Sequence, residues 1–219
     1  MSESTTIQYE RGDDGIVILT IDDPNQGANT MNRAYAESMA ATVERLEAEK
    51  DDIKGVIITS GKKTFFAGGD LNDLLAVTKE QAPEFAEGLR EIKGQLRRLE
   101  TLGVPVVAAV AGSALGGGLE ITLAAHHRVV VDDPKIQLGT PEVSLGLLPG
   151  GGGVTRTVRM MGIANALLNV LIQGKPLRPA KALELGLISE LVDSPDDLIP
   201  AAKKFINENP EAVQPWDVK

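Results

Sequence analysis

Strands alternating with helices along the whole chain predict an α/β fold. Three observations carry that expectation. Residues 104–110, Val-Pro-Val-Val-Ala-Ala-Val, are apolar with no polar alternation, as in a strand buried on both faces. Phe85, Leu89, Ile92, Leu96 and Leu99 recur at helical spacing with charges on the opposite face. Further short apolar runs, at 16–21 and 56–59, are each followed by a helical pattern or a turn.

Taken in order, residues 6–9 and 16–21 read as two strands joined across Gly12-Asp13-Asp14-Gly15, a hairpin turn. Met31, Tyr35, Met39, Val43 and Leu46 mark a helix from 31 to about 48, and 56–59 a buried strand. The helix over 83–102 has an apolar stripe that reads as core packing. The strand at 104–110 feeds a glycine turn, and a helix is expected from the triple glycine to about 125. Residues 128–131 read as strand, 155–161 and 164–172 as helices, and 179–185 as a short helix ending at Gly186. A last strand or extended piece is expected at 187–192 and a terminal helix at 196–207. Length favours one core, taken as 1–195, with 196–219 as a terminal helix and linker-like tail.

Two stretches set a carboxylate beside a glycine cluster. One is Gly112-Ser113-Ala114-Leu115-Gly116-Gly117-Gly118-Leu119-Glu120; the other is Pro141-Glu142 leading into Leu148-Pro149-Gly150-Gly151-Gly152-Gly153. Glycines at a strand-to-helix junction let the backbone approach a ligand and leave first-turn N–H groups without intrahelical partners. Such donors suit an oxyanion, where each pre-aimed amide is worth roughly 3 kcal/mol. Taken singly, Glu120 is an ordinary first-turn acid complementing the helix dipole, and the triple glycine a packing turn. The second acid, on a glycine- and proline-rich loop, shifts the balance towards a site.

The same residues admit a second reading, as a dinucleotide-binding turn with Asp132 about twenty residues on for a ribose. Ala114 stands where that fingerprint needs its pyrophosphate-contacting glycine, and the reading leaves Pro141-Glu142 unexplained. No Gly-Lys-Ser or Gly-Lys-Thr follows a glycine loop, which excludes a P-loop. His126 and His127 are adjacent and point to different sides, so they read as structural rather than as a metal grip.

The stretch 112–120 resembles the signature of the crotonase, or enoyl-CoA hydratase/isomerase, superfamily, and Pro141-Glu142 with 145–153 resembles its second signature. Thr64-Phe65-Phe66-Ala67-Gly68-Gly69-Asp70-Leu71 is similar to the family loop that closes over CoA. The likeness covers nearly the whole chain. It implies a spiral of repeated strand-strand-helix units, and a lyase that adds water to trans-2-enoyl-CoA to give 3-hydroxyacyl-CoA in fatty-acid β-oxidation. By that resemblance Glu142 shuttles the proton and Glu120 orients the water. The amides of Phe66 and Gly117 would form the oxyanion hole, with Ala67, Gly68, Asp70 and Gly116 contacting substrate. Having both glutamates resembles the hydratases rather than the isomerases.

No separate cofactor or metal is implied, CoA being part of the substrate. The ending and 151–159 look like the N-terminal part of the multifunctional β-oxidation alpha chain, and the usual C-terminal helices are expected to be shortened or missing. An isomerase, or a non-catalytic core that binds acyl-CoA or a partner chain, is the alternative. A homo-oligomer or association with other β-oxidation subunits is the expected assembly.

Composition bounds these expectations. Net charge −9 and pI near 4.8 argue against nucleic acid or an anionic membrane as partner. With 42% hydrophobic but only 3% aromatic residues, the core must rest on Leu, Ile, Val and Ala. The absence of cysteine excludes disulfides and thiolate chemistry. No secretory signal or membrane-spanning run is visible, so a cytoplasmic location is expected. CoA phosphates would need local cations, for which Lys62 and Lys63 are candidates.

Overall fold

Eight strands and eight α-helices make up the computed structural model, which describes residues 5–218. The strands are β1 (Ile7–Arg11), β2 (Ile16–Ile21), β3 (Gly55–Ser60), β4 (Val106–Val110), β5 (Ala114–Leu115), β6 (His127–Val131), β7 (Leu138–Gly139) and β8 (Glu190–Val192). The helices are α1 (Arg33–Glu49), α2 (Leu71–Ala76), α3 (Ala82–Glu100), α4 (Gly117–Leu123), α5 (Gly153–Met161), α6 (Ile163–Ala166), α7 (Pro179–Glu184) and α8 (Leu198–Glu208).

The main sheet runs β1-β2-β3-β4-β6-β8, with only the β1–β2 hairpin antiparallel. Every residue of β4 is buried, as its unbroken apolar sequence requires of a central parallel strand. The two short strands β5 and β7 pair in a second, parallel sheet. Isolated bridges extend that sheet on either side, from Phe66 to Ala114 and from Leu138 to Leu177. This small second layer is the frame on which the glycine turns hang.

Several boundaries differ from the periodicity for local reasons. Helix α1 starts at Arg33 rather than at Met31, because the Asn32 side chain caps it by accepting the Tyr35 N–H at 2.8 Å. Met31 is thereby left extended, bridged to Gly69. The helix expected over 164–172 divides into α6 and a π-helical turn, Leu167–Leu171, closed by the Ile172 N–H on the Leu167 carbonyl at 3.1 Å. A 3₁₀ turn, Pro141–Leu145, carries Glu142.

The break expected at residue 195 separates no packing unit. Leu198, Ala202 and Ile206 of α8 belong to the same apolar core as the sheet. Ile206 fills the space over β3 so closely that a Cβ on Gly55 would lie 2.6 Å from it. Beyond α8 the chain turns back, and the buried Gln214 side chain donates to the carbonyls of Ala124 and Ala125 at 3.4 and 3.0 Å. Among the described residues no helix is long and apolar enough to cross a membrane.

Candidate active site

Helix α4 leaves β5 through Gly116, whose φ of +54° an L side chain rarely adopts. Space is equally tight along the turn. A Cβ on Gly116 would fall 2.7 Å from Glu142 Oε1, and one on Gly118 would fall 2.5 Å from the Phe66 carbonyl oxygen. The three glycines therefore bring the start of α4 against both the 64–70 loop and the Glu142 turn.

Glu120 projects from the first turn of α4 and is 2% exposed. Its Oε1 accepts the Gly153 N–H at 2.7 Å, and Gly151 and Gly153 pack against the rest of the carboxyl group. Burial raises its pKa above the usual carboxylate range, opposed by the amides of Gly153 and Gly151, by the Arg156 charge and by Gly152. Glu142 is half-buried, and its Oε2 is buried without a hydrogen-bond partner among the described residues. Burial pushes Glu142 up to about 7; its own backbone N–H opposes this, and the Glu120 charge raises it further. The two acids, from different elements, thus feel one another across the glycine turn.

The loop over 64–70 distributes its amides differently from the expectation. Phe66 N–H donates to the Ser113 carbonyl at 3.2 Å, so it is committed to the bridge with Ala114 and is not free for a ligand. The Phe66 ring is fully buried, edge-on to Tyr35 with centroids 4.9 Å apart. Ala67 N–H is likewise taken, by the carbonyl of the buried Asn29 at 2.8 Å. Gly68, at φ +100°, turns the chain so that its carbonyl accepts the Met31 N–H at 2.8 Å. In a trans peptide the next N–H points the opposite way, so Gly69 N–H faces away from Met31. The amides of Gly69 and Gly117 find no protein acceptor among the described residues, and a Cβ on Gly69 would meet nothing within 4 Å.

Gly69 opens onto a cleft of about 680 Å³ between α1, α2 and α3. Its apolar lining includes Met31, Ala36, Leu74, Val77, Phe85 and Ile92, under a rim rich in Glu and Asp. Met31 joins the cleft to the helix start, since a Cβ on Gly117 would lie 2.8 Å from its Cε. Leu89, also lining the cleft, lies 3.3 Å from where a Cβ on Gly150 would be. The two glutamates do not line the cleft themselves.

The remaining expected contacts divide. Asp70 lines the cleft and also caps α2, accepting the Asp73 N–H on Oδ1 at 3.4 Å. Gly116 N–H is spent on the Gly139 carbonyl at 2.8 Å, so it serves the frame rather than a ligand. Lys62 pairs with Asp22 at 2.7 Å. His126 bonds the Val106 amide and the Glu100 carbonyl, while His127 stacks on Phe205 and meets Glu190 at 3.0 Å; both serve the scaffold. Sequence reasoning missed Gly69, Met31 and the buried Glu100–Arg156 pair. Glu100 carried one signal: it lies four residues after Leu96, on the apolar stripe of α3, where a charge needs a buried partner.

Comparison with known proteins agrees with this architecture. Residues 11–214 match the enoyl-CoA hydratase/isomerase family. The chain is 39% identical over 216 residues to the fatty acid oxidation complex subunit alpha of Idiomarina loihiensis, and 40% over 217 to that of Shewanella frigidimarina. Each match covers 98% of this chain but only 30% of the relative, so the chain spans under a third of their length. Among solved structures, the enoyl-CoA hydratase of Bacillus anthracis superposes with a TM-score of 0.82 at 27% identity, covering 93% of this chain and 76% of that one. That of Thermoplasma volcanium superposes at 0.79 and 29% identity, covering 94% and 77%. The chain belongs to the enoyl-CoA hydratase/isomerase family, the crotonases.

Proposed function

We propose that this chain hydrates trans-2-enoyl-CoA thioesters to 3-hydroxyacyl-CoA, as the hydratase part of fatty-acid oxidation. The observation that carries the reading is the pair of facing carboxyl groups, buried Glu120 fixed by a glycine amide and half-buried Glu142 raised to about 7 with its Oε2 buried and unpartnered among the described residues. A thioester oxygen would accept from Gly69 and Gly117, whose amides have no protein acceptor among the described residues, and the charge growing on it as the enolate forms would be met by donors already in place. The acyl chain would lie in the cleft over Leu74, Val77, Phe85 and Ile92.

In the reaction, a water held between the glutamates bonds through its oxygen to the β-carbon while one O–H proton passes to a carboxylate. The α-carbon of the enolate takes a proton from the Glu142 carboxyl group. The two acids share one proton across the cycle, so the net change is addition of one water. A group near pH 7 is well matched to giving and regaining that proton, and the fixed Glu120 carboxylate orients the water.

Loss of the enoyl-thioester absorbance of crotonyl-CoA measures the activity. Glu142→Gln should lower kcat by about 10²- to 10⁴-fold. Full activity in that variant would overturn the role given to Glu142. If a 3-enoyl-CoA double bond migrates and no water is added, the isomerase reading takes its place.

A further inference from the structure

Behind the glycine loop that grips Glu120 lies a recess of about 330 Å³, lined by Lys93, Arg97, Glu100, Arg156, Arg159 and Trp216. Two of these side chains are almost sealed from solvent, Glu100 at 4% and Arg156 at 7% exposure. Arg156 presents Nε and Nη2 to the two Glu100 oxygens at 2.7 and 3.0 Å, and its Nη1 donates to the Gly151 carbonyl at 3.0 Å. The guanidinium lies so close to the loop that a Cβ on Gly152 would fall within 2.2 Å of Nη1. The other side of the same loop faces Glu120, with the Gly153 N–H 2.7 Å from its Oε1.

We infer that Arg156, clamped by Glu100, is a positioning residue for Glu120: it holds the Gly151 carbonyl so that the amides of 151–153 stay aimed at the Glu120 carboxylate. A four-glycine segment has the largest backbone entropy of any sequence, and an amide array on it keeps its aim only if something rigid holds it. A planar fork fixed on one side by a carboxylate has its remaining N–H directed at one place. A buried ion pair is weak evidence for stability as such, since apolar replacements often serve as well. Here its third hydrogen bond goes to the loop, which an apolar pair would not supply. Arg97 extends the array outwards, bonding Glu100 at 3.1 Å and Asp217 at 2.6 Å. The charged groups around Glu120 are Arg156 on α5 and Glu142 on the 3₁₀ turn, with Glu100 and Arg97 of α3 one step behind Arg156.

The kinetic consequence rests on the hydratase reading, whereas the positioning itself does not, and two readouts keep them apart. The first is the carboxyl titration of Glu120, followed by ¹³C NMR of glutamate-labelled protein and assigned with Glu120→Gln. The second is kcat and KM for crotonyl-CoA. The double variant Arg156→Gln with Glu100→Gln removes both charges without orphaning either. It should move the Glu120 titration upwards by about one pH unit or more, as the charge and the aimed amides are lost. It should lower kcat by about 10- to 100-fold with KM within about twofold. Arg156→Lys, which keeps the charge but not the fork, should fall between parent and double variant in both readouts. A folded double variant whose Glu120 titrates as in the parent overturns the inference. If the titration moves but the parent hydrates nothing, the positioning stands and the hydratase reading fails. Should the double variant not fold, the titration of Arg156→Lys decides, an unmoved Glu120 again overturning the inference.

Discussion

Glu142 should cost the folded protein stability at the pH where it would work, and Glu142→Gln should recover it. The carboxyl group goes from 4.5 to about 7 on folding, which at 1.36 kcal/mol per pH unit sets a ceiling of about 3.4 kcal/mol on the cost of ionising it in place. Because the side chain is half-buried, solvent screening brings the figure to about 1–2 kcal/mol. The sign follows from the raised pKa. Below 4.5 both states are protonated and nothing is lost; between 4.5 and 7 the unfolded chain releases a proton that the native state keeps; above 7 the native state bears the full cost. Stability attributable to Glu142 therefore falls as pH rises through that window. Glutamine keeps the shape without the charge, so the variant should gain about 1–2 kcal/mol over the parent between pH 5 and pH 8. Urea unfolding of both proteins at four pH values reads the difference directly. Holding the lower limit at pH 5 avoids the carboxylates whose pKa values are depressed, such as Glu47 beside Arg98 and Asp217 beside Arg97. A difference that stays flat from pH 5 to 8 would refute the reasoning. In a Glu120→Gln background the pH-dependent difference should shrink, because one cause of the raised value has gone.

Two backbone predictions probe the glycine turn. Gly118→Ala drives a Cβ to 2.5 Å from the Phe66 carbonyl oxygen and 2.7 Å from the Phe66 Cβ, where the neighbour is largely backbone. It should destabilise by about 1–3 kcal/mol, read as a lower urea midpoint at unchanged m-value. Gly117→Pro, paired with Met31→Ala to clear the contact at 2.8 Å, deletes one amide donor at the first helical position, where proline is tolerated. Hydration kcat should drop about 10²- to 10³-fold while the far-UV spectrum is kept. Undiminished turnover would remove Gly117 from the oxyanion hole.

The parts of the fold that sequence made legible are those whose burial is decided locally. The unbroken apolar run of β4 and the stripe of α1 report a strand or a face turned to the core, and they lie where periodicity places them. The stripe of α3 divides: Leu96 and Leu99 reach the core, whereas Phe85, Leu89 and Ile92, expected there too, line the cleft instead, because periodicity marks an apolar face without saying what covers it. Helix α2 carries no such signal: it has six residues, with Leu71 and Leu75 exposed, and its start depends on the Asp70 cap. Strands β5 and β7, two residues each, are too short for any period and exist only because they pair with each other.

The site follows the same division at finer grain. Glycines at 68 and 69 look alike in a sequence, yet their constraints are opposite. Gly68 is required by its φ of +100° and by the Leu115 carbonyl, 3.2 Å from where a Cβ would be, whereas Gly69 borders open space. Which amide of the loop remains free is decided by Ser113 taking Phe66 and Asn29 taking Ala67, acceptors remote along the chain. Backbone donors carry no side-chain identity, so a sequence can announce that an amide-lined site exists without saying which amide serves it. Carboxylates announce themselves, and both glutamates could be named at once. Their pKa values, in contrast, come from burial and from each other, which only the assembled turn supplies.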